Sequence, residues 1–265
     1  MLTTIALYCG VGAVAGVLAG LLGVGGGLVI VPMLVFCFGL QGFDPQAIMH
    51  IALGTSMASI IFTSISSFMA HHRRKAVDWS IVRGVVLGIL VGTYGGSVIA
   101  ANLSSGFLKG FFVVFLYYVS FQMFTGKKPK PSRTLPGKPA LFGVGSVIGV
   151  VSSLVGIGGG TLSVPFMIWS NIPVHMAIGT SAAIGFPIAI AGSVGYIVNG
   201  LGAAGLPEYS LGYVYFPALV GIVAVSMFTA PLGVRLAHSL PVDRLKRVFA
   251  LLLFLVGTRM LLSLL

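Results

Sequence analysis

Eight apolar runs, at about 4–40, 45–70, 79–101, 107–125, 139–170, 174–199, 211–237 and 242–263, occupy nearly all of the chain. Runs of this length suit helices that cross a hydrocarbon core of about 30 Å, so they dictate a fold built in lipid rather than in water. Charge agrees, because 7% of the residues are Asp, Glu, Lys or Arg, against about 25% in a water-soluble domain. A soluble enzyme, a secreted disulfide scaffold and a disordered tail are all excluded. The net charge of +11 does not mark a nucleic-acid partner, since the cations stand in short clusters at the ends of apolar runs. That is how the positive-inside rule distributes them in a multi-pass membrane protein. Cys9 and Cys37 lie inside apolar runs and read as buried small hydrophobes rather than a disulfide. The first Lys or Arg is Arg73, so the basic start of a secretory signal is missing and the first run is expected to stay in the mature protein.

The two halves of the sequence are copies. Residues 20–34, GLLGVGGGLVIVPML, align without gaps on residues 153–167, SLVGIGGGTLSVPFM, with seven identities in fifteen positions, where composition alone would give roughly one or two. Downstream, HIALGTS at 50–56 answers HMAIGTS at 175–181, and a weaker match pairs 96–112 with 233–249 in the same order. Shared Gly-rich composition accounts poorly for three matches in one order. Between the copies, KKPKPSRTLPGK (127–138) is the one long hydrophilic stretch. The expected organisation is therefore an N-terminal repeat over 1–125, a cytoplasmic linker over 126–138 and a C-terminal repeat over 139–265.

The first run of each half is too long for one span: the 37 residues of 4–40 would make a rod of about 55 Å. Each contains a glycine cluster where helix is weakest, so each either passes through as a broken span or folds back as a hairpin. Passing through divides the fifteen Lys and Arg ten to five across the membrane, whereas folding back places thirteen on one side and only Lys109 and Arg259 on the other. The hairpin is favoured. It predicts an all-α integral membrane protein of two inverted structural repeats, each a Gly-broken helical hairpin plus three transmembrane helices, with both termini outside.

Two repeated motifs could carry chemistry. The glycine clusters (Gly25, Gly26 and Gly27; Gly158, Gly159 and Gly160, followed by Thr161) precede apolar segments that restart a helix. A helix starting within the membrane points unpaired N–H groups and its positive dipole end inward, and glycines let an anion come close. The competing reading is a small-residue packing surface with no ligand. No Walker or Rossmann pattern surrounds these glycines. The second motif, His-x-Ala-x-Gly-Thr-Ser, lies in the first turns of a helix behind Asp44-Pro45 or Asn171 and Pro173, which look like N-terminal caps. It places Thr55, Ser56, Thr180 and Ser181 at a depth where hydroxyls can donate to an anion, or else bond back to their own or a neighbouring helix. His50 and His175 are structural donors or, if transport is proton-linked, relays.

The four carboxylates, Asp44, Asp78, Glu208 and Asp243, all sit at the ends of apolar runs or between them, and a pathway built from dipoles, amides and hydroxyls suits a negative solute. A serine hydrolase is disfavoured because His50 and Ser56, or His175 and Ser181, would diverge by about 120° around one helix. No catalytic residue, metal site or cofactor is expected. Trp79 and Trp169 read as interface anchors, and Pro187, Pro217 and Pro231 as kinks.

The twin elements GVGGGLVIVP (23–32) and GIGGGTLSVP (156–165), each followed by HxAxGTS, resemble the TauE/SafE family of sulfite exporters over essentially the whole chain. The resemblance implies a multi-pass permease of the bacterial or archaeal cytoplasmic membrane for small sulfur-containing anions, such as sulfite, thiosulfate or organosulfonates including sulfoacetate. The expected partners are that anion, the bilayer and a coupling proton or sodium ion, with no nucleic acid. Substrate, direction, coupling ion and oligomeric state stay open, and the rival to a carrier is a passive anion channel.

Overall fold

The computed structural model describes residues 2–22, 26–126, 134–239 and 242–264. Gly25 and most of the linker lie outside the described residues. Among the described residues the chain forms ten helices: α1 (Leu2–Leu22), α2 (Gly27–Leu40), α3 (Ile48–Arg73), α4 (Trp79–Ala101), α5 (Ser105–Thr125), α6 (Lys138–Val155), α7 (Gly160–Trp169), α8 (Val174–Gly200), α9 (Phe216–Ser239) and α10 (Val242–Leu262). At least six of them are long and apolar enough to cross a membrane. The protein is an all-α, multi-pass membrane protein with no sheet core among the described residues.

Local chemistry sets several boundaries. Asp78 accepts the N–H groups of Ser80 and Ile81 to start α4, Ser104 accepts that of Phe107 to start α5, and Pro139 sits in the first turn of α6. Gly126 and Gly156, both left-handed, end α5 and α6.

Both overlong runs fold back. Gly26 packs against Ala15 of α1, and at the far end of α2 the Gln41 amide donates to Tyr8 Oη at 2.7 Å. In the second half Gly159 packs against Ile148 of α6, the position that the alignment of halves pairs with Ala15. Neither run is a continuous rod.

Cross-half packing orders the remaining helices. Gly12, Gly16 and Gly20 of α1 press in turn on the backbone at Ile222, Ser226 and Ala230 of α9, so these helices run parallel. Gly88, Gly92 and Gly96 of α4 meet Phe142, Ser146 and Val150 of α6 in the same rising order. The four-residue glycine spacing lets backbones touch, which is how helices associate in a solvent as apolar as themselves. Helices α3 and α8 run antiparallel through the centre, where Met57 meets Gly192 and Ser64 approaches Gly185, and they are the two most buried of the candidate spans. Helices α5 and α10 are antiparallel too, joined by Tyr117 Oη to Thr258 Oγ1 at 3.0 Å and Ser120 Oγ to the Ala250 carbonyl at 2.8 Å. Outward faces are apolar and bare, as at Val114, Phe121 and Phe228.

Three local expectations are corrected. The run expected from residue 211 begins as a two-stranded turn, Ser210–Leu211 against Val214–Tyr215, and helix starts only at Phe216. Pro217 is therefore the second residue of α9, where it breaks no hydrogen bond and makes no kink; Pro187 and Pro231 do lie within helices. Asp44 and Asn171 are not the N-caps of α3 and α8, which are Ala47 and Pro173. Asp44 instead accepts the Gln46 N–H at 2.9 Å and shapes the turn that leads into α3.

Candidate functional site

The two glycine breaks meet. A side chain on Gly27 would strike the Gly156 carbonyl and Ile157 Cα, so the start of α2 touches the end of α6 backbone to backbone. Gly26 and Gly159, at φ 81° and 77°, are the left-handed N-caps of α2 and α7, a conformation that side chains resist. The Gly26 carbonyl accepts from Val29 and Ile30, and the Gly159 carbonyl from Leu162 and Ser163, at 2.9–3.1 Å. The amides of Gly27 and Leu28, and of Gly160 and Thr161, precede these donors in the first turn and have no acceptor within their own helices. Gly158 is held close to α8, its carbonyl 3.2 Å from where a Cβ on Gly185 would stand.

Side chains distinguish the breaks. At the second, the hydroxyls of Ser152, Thr161 and Ser163 are buried with no hydrogen-bond partner, and Ser152 Oγ stands 3.4 Å from the Cβ position of Gly159. A buried hydroxyl without a partner costs about 1–3 kcal/mol, so three of them around one helix start ask for an acceptor. The aligned residues at the first break are Ala19, Leu28 and Ile30, which offer none. Sequence reasoning named Thr161 and missed Ser152 and Ser163, although the contrast between copies was there to read.

The other sequence-predicted residues brace this centre. Ser56 donates to the Gly156 carbonyl at 2.8 Å, which commits its proton to holding the second break. Thr55 accepts the Tyr215 N–H at 3.0 Å, and Thr180 accepts the Asp78 N–H at 2.9 Å. The paired threonines thus fix the chain just ahead of α9 and α4, in matching positions of the two halves. Ser181 is fully buried on α8.

The histidines part company. His50 is buried, its Nε2 lies 3.1 Å from the carbonyls of both Ala100 and Leu103, and its ring stacks on Tyr213 at 5.0 Å. A protonated Nε2 donating to both carbonyls ties the start of α3 to the end of α4. His175 is exposed at the start of α8 and away from the breaks.

A second pair escaped the sequence reading. His71 Nε2 lies 3.1 Å from the Gly20 carbonyl, and Tyr196 Oη donates to the Ser153 carbonyl at 2.8 Å. Aligning the histidine motifs makes His71 and Tyr196 equivalent, and aligning the glycine motifs makes Gly20 and Ser153 equivalent. Each half therefore clamps the last turn of its first hairpin helix with a donor from its central helix. Unlike residues, His and Tyr, hid the correspondence. Among the described residues no three His, Cys, Asp or Glu side chains gather as a metal site.

Comparison with known proteins places this architecture. A probable membrane transporter protein of Haemophilus influenzae is 40% identical over 264 residues, covering 99% of this chain and 100% of that protein. The probable membrane transporter protein YunE of Bacillus subtilis is 27% identical over 94% of each chain. A probable membrane transporter protein of Methanocaldococcus jannaschii is 27% identical over 95% of this chain and 93% of its own. No solved structure gives a significant match. The family described as sulfite exporter TauE/SafE matches residues 8–260. With both glycine breaks, both histidine motifs and all ten helices inside or overlapping that span, the chain belongs to the TauE/SafE family of membrane transporters.

Proposed function

We propose that the protein is a secondary transporter that moves small sulfur-containing anions, such as sulfite, thiosulfate or organosulfonates, across the cytoplasmic membrane by alternating access. The anion is held where the breaks meet, by the amides of Gly25 to Gly27 and Gly158 to Gly160 and by the hydroxyl of Thr161. Ser152 and Ser163 join it as donors, while Thr55, Ser56, Thr180 and Ser181 position the breaks. The observation that carries this reading is the trio of buried, unpartnered hydroxyls around the start of α7. Dipole, amides and hydroxyls all favour a negative solute there. The family description, sulfite exporter, supplies the sulfur-anion class. His50, bonded to two carbonyls, is a structural tie in this scheme rather than a proton relay.

Alternating access needs two related faces, and the reading adopts inverted repeats. Support comes from the equivalent pairs α3 with α8 and α5 with α10, each antiparallel, and from the reciprocal parallel pairs α1 with α9 and α6 with α4. Both termini then lie outside and the linker lies in the cytoplasm.

The test is flux into proteoliposomes under an imposed proton or sodium gradient, with sulfite, thiosulfate, a sulfonate, sulfate and chloride as solutes. Uphill movement of a sulfur anion is expected, and those anions should raise the thermal midpoint more than chloride does. Strictly downhill flux under every gradient would replace the carrier with a channel, and preference for chloride would remove the sulfur-anion assignment.

A further inference from the structure

Two cavities on the outer surface of the bundle form one amphiphilic groove. The first, about 600 Å³, is lined by Lys109, Arg259, Ser105 and Ser263 together with apolar residues of α2 and α10. The second, about 560 Å³, runs between α1, α2 and α10 and is lined only by apolar side chains and Gly10. They share Pro32, Met33 and Val256, so a cationic pocket continues into an apolar trough. The trough opens outward past Leu7, Val14 and Leu252, the surface that faces lipid in a membrane-embedded bundle.

The cations are the two that the sequence sets apart from the other thirteen. Lys109 Nζ donates to the Ser263 carbonyl at 3.2 Å, and the Arg259 guanidinium lies 4.3 Å above the Phe36 ring. Among the described residues no carboxylate lines the pocket. Packed beside lipid, two cations in one pocket with no carboxylate among the described residues around them favour an anion, and a trough without a polar side chain favours hydrocarbon. A small inorganic anion satisfies only the first of these demands.

We propose that this groove binds one anionic phospholipid, its phosphate between Lys109 and Arg259 and an acyl chain along α2 in the trough between α1 and α10. The site is separate from the glycine breaks and stands whether or not those breaks carry an anion.

The experiment uses the purified full-length protein in neutral detergent, with lipid retention followed by native mass spectrometry and the thermal midpoint followed in parallel. Phosphatidylglycerol is expected to stay bound and raise the midpoint, while phosphatidylcholine and inorganic phosphate do neither. The double variant Lys109→Gln/Arg259→Gln should keep the lipid-free midpoint and bind phosphatidylglycerol roughly tenfold or more weakly. Should that variant fail to fold, Gly10→Leu tests the trough instead, since no atom stands within 4 Å of its Cβ position; it should displace the lipid without lowering the midpoint. Equal retention of phosphatidylcholine, equal stabilisation by free phosphate, or undiminished lipid binding in the variant tested would each overturn the proposal. So would dissociation of a dimer by these variants with lipid binding unchanged, which would assign the groove to a second copy of the chain.

Discussion

Thr161 and Ser56 are both buried hydroxyls at the second glycine break, yet they do opposite work. Ser56 is bonded to the Gly156 carbonyl, so Ser56→Ala should lower stability by about 1 kcal/mol, read as a fall in thermal midpoint, together with anion flux. Thr161 has no partner, so Thr161→Val should leave the anion-free midpoint unchanged or raised and cut sulfite flux by roughly tenfold, an asymmetry expected of a ligand donor and not of a structural bond. A midpoint that falls with Thr161→Val would return Thr161 to the scaffold. Asp78 yields a pH prediction. The Ser80 hydroxyl, opposed by slight burial, and the amides of Ser80 and Ile81 hold its carboxyl below the ordinary carboxylate range. A depressed folded pKa stabilises above the unfolded value and is lost as pH falls through the folded one. Asp78→Ala should thus cost about 1 kcal/mol near neutral pH, and its midpoint should converge on that of the unaltered protein as the medium is acidified below pH about 4. Ser152 and Ser163 were missed, but the glycines of the breaks and the hydroxyls of Thr55, Ser56, Thr161 and Thr180 were legible in the sequence. Their partners were not, because Thr55 reaches an amide 160 residues away and Thr180 one 102 residues away, and spacing within one helix says nothing about what faces it.

Helices show the same division. The run at 79–101 matches α4 residue for residue, and both overlong runs break at their glycine clusters. Apolar length and glycine weakness are local properties, and sequence reports local properties well. The start of α9 was misplaced because Tyr213, Val214 and Tyr215 continue an apolar run while their backbone turns, with Tyr213 N–H donating to the Tyr196 carbonyl. The four-residue glycine spacings of α1 and α4 were equally visible, but a small-residue face does not name the helix that fills it. Substitution can now separate seam from surface. Gly16→Leu would drive a side chain into the backbone at Ser226 and should abolish the monodisperse folded protein in size-exclusion chromatography. Gly110→Leu, with open space around its Cβ position, should leave both elution and midpoint unchanged.

Across the whole molecule, the stacking of His50 on Tyr213 and the approach of Gly205 to Asp44 gather the α2–α3, α4–α5 and α8–α9 connections at one end. Lys109 and Arg259 lie at that end. Composition and cation counting anticipated the membrane class and the folding back; which side each end faces is a matter for labelling. With Cys9 and Cys37 replaced by Ser, Asn102→Cys and Ala204→Cys should react with an impermeant maleimide in intact cells, and Arg74→Cys and Arg247→Cys only after permeabilisation. The opposite pattern would invert the proposed orientation. The glycine seams bear on what can move. The closest backbone contacts join α1 to α9 and α4 to α6, so each copy embraces a rod belonging to its twin, and the sequence halves cannot rock past one another as independent blocks. Cohesion between the halves then rests on these seams rather than on a continuous backbone: fragments 1–126 and 134–265, co-expressed as separate polypeptides, should interleave and co-purify as one permease.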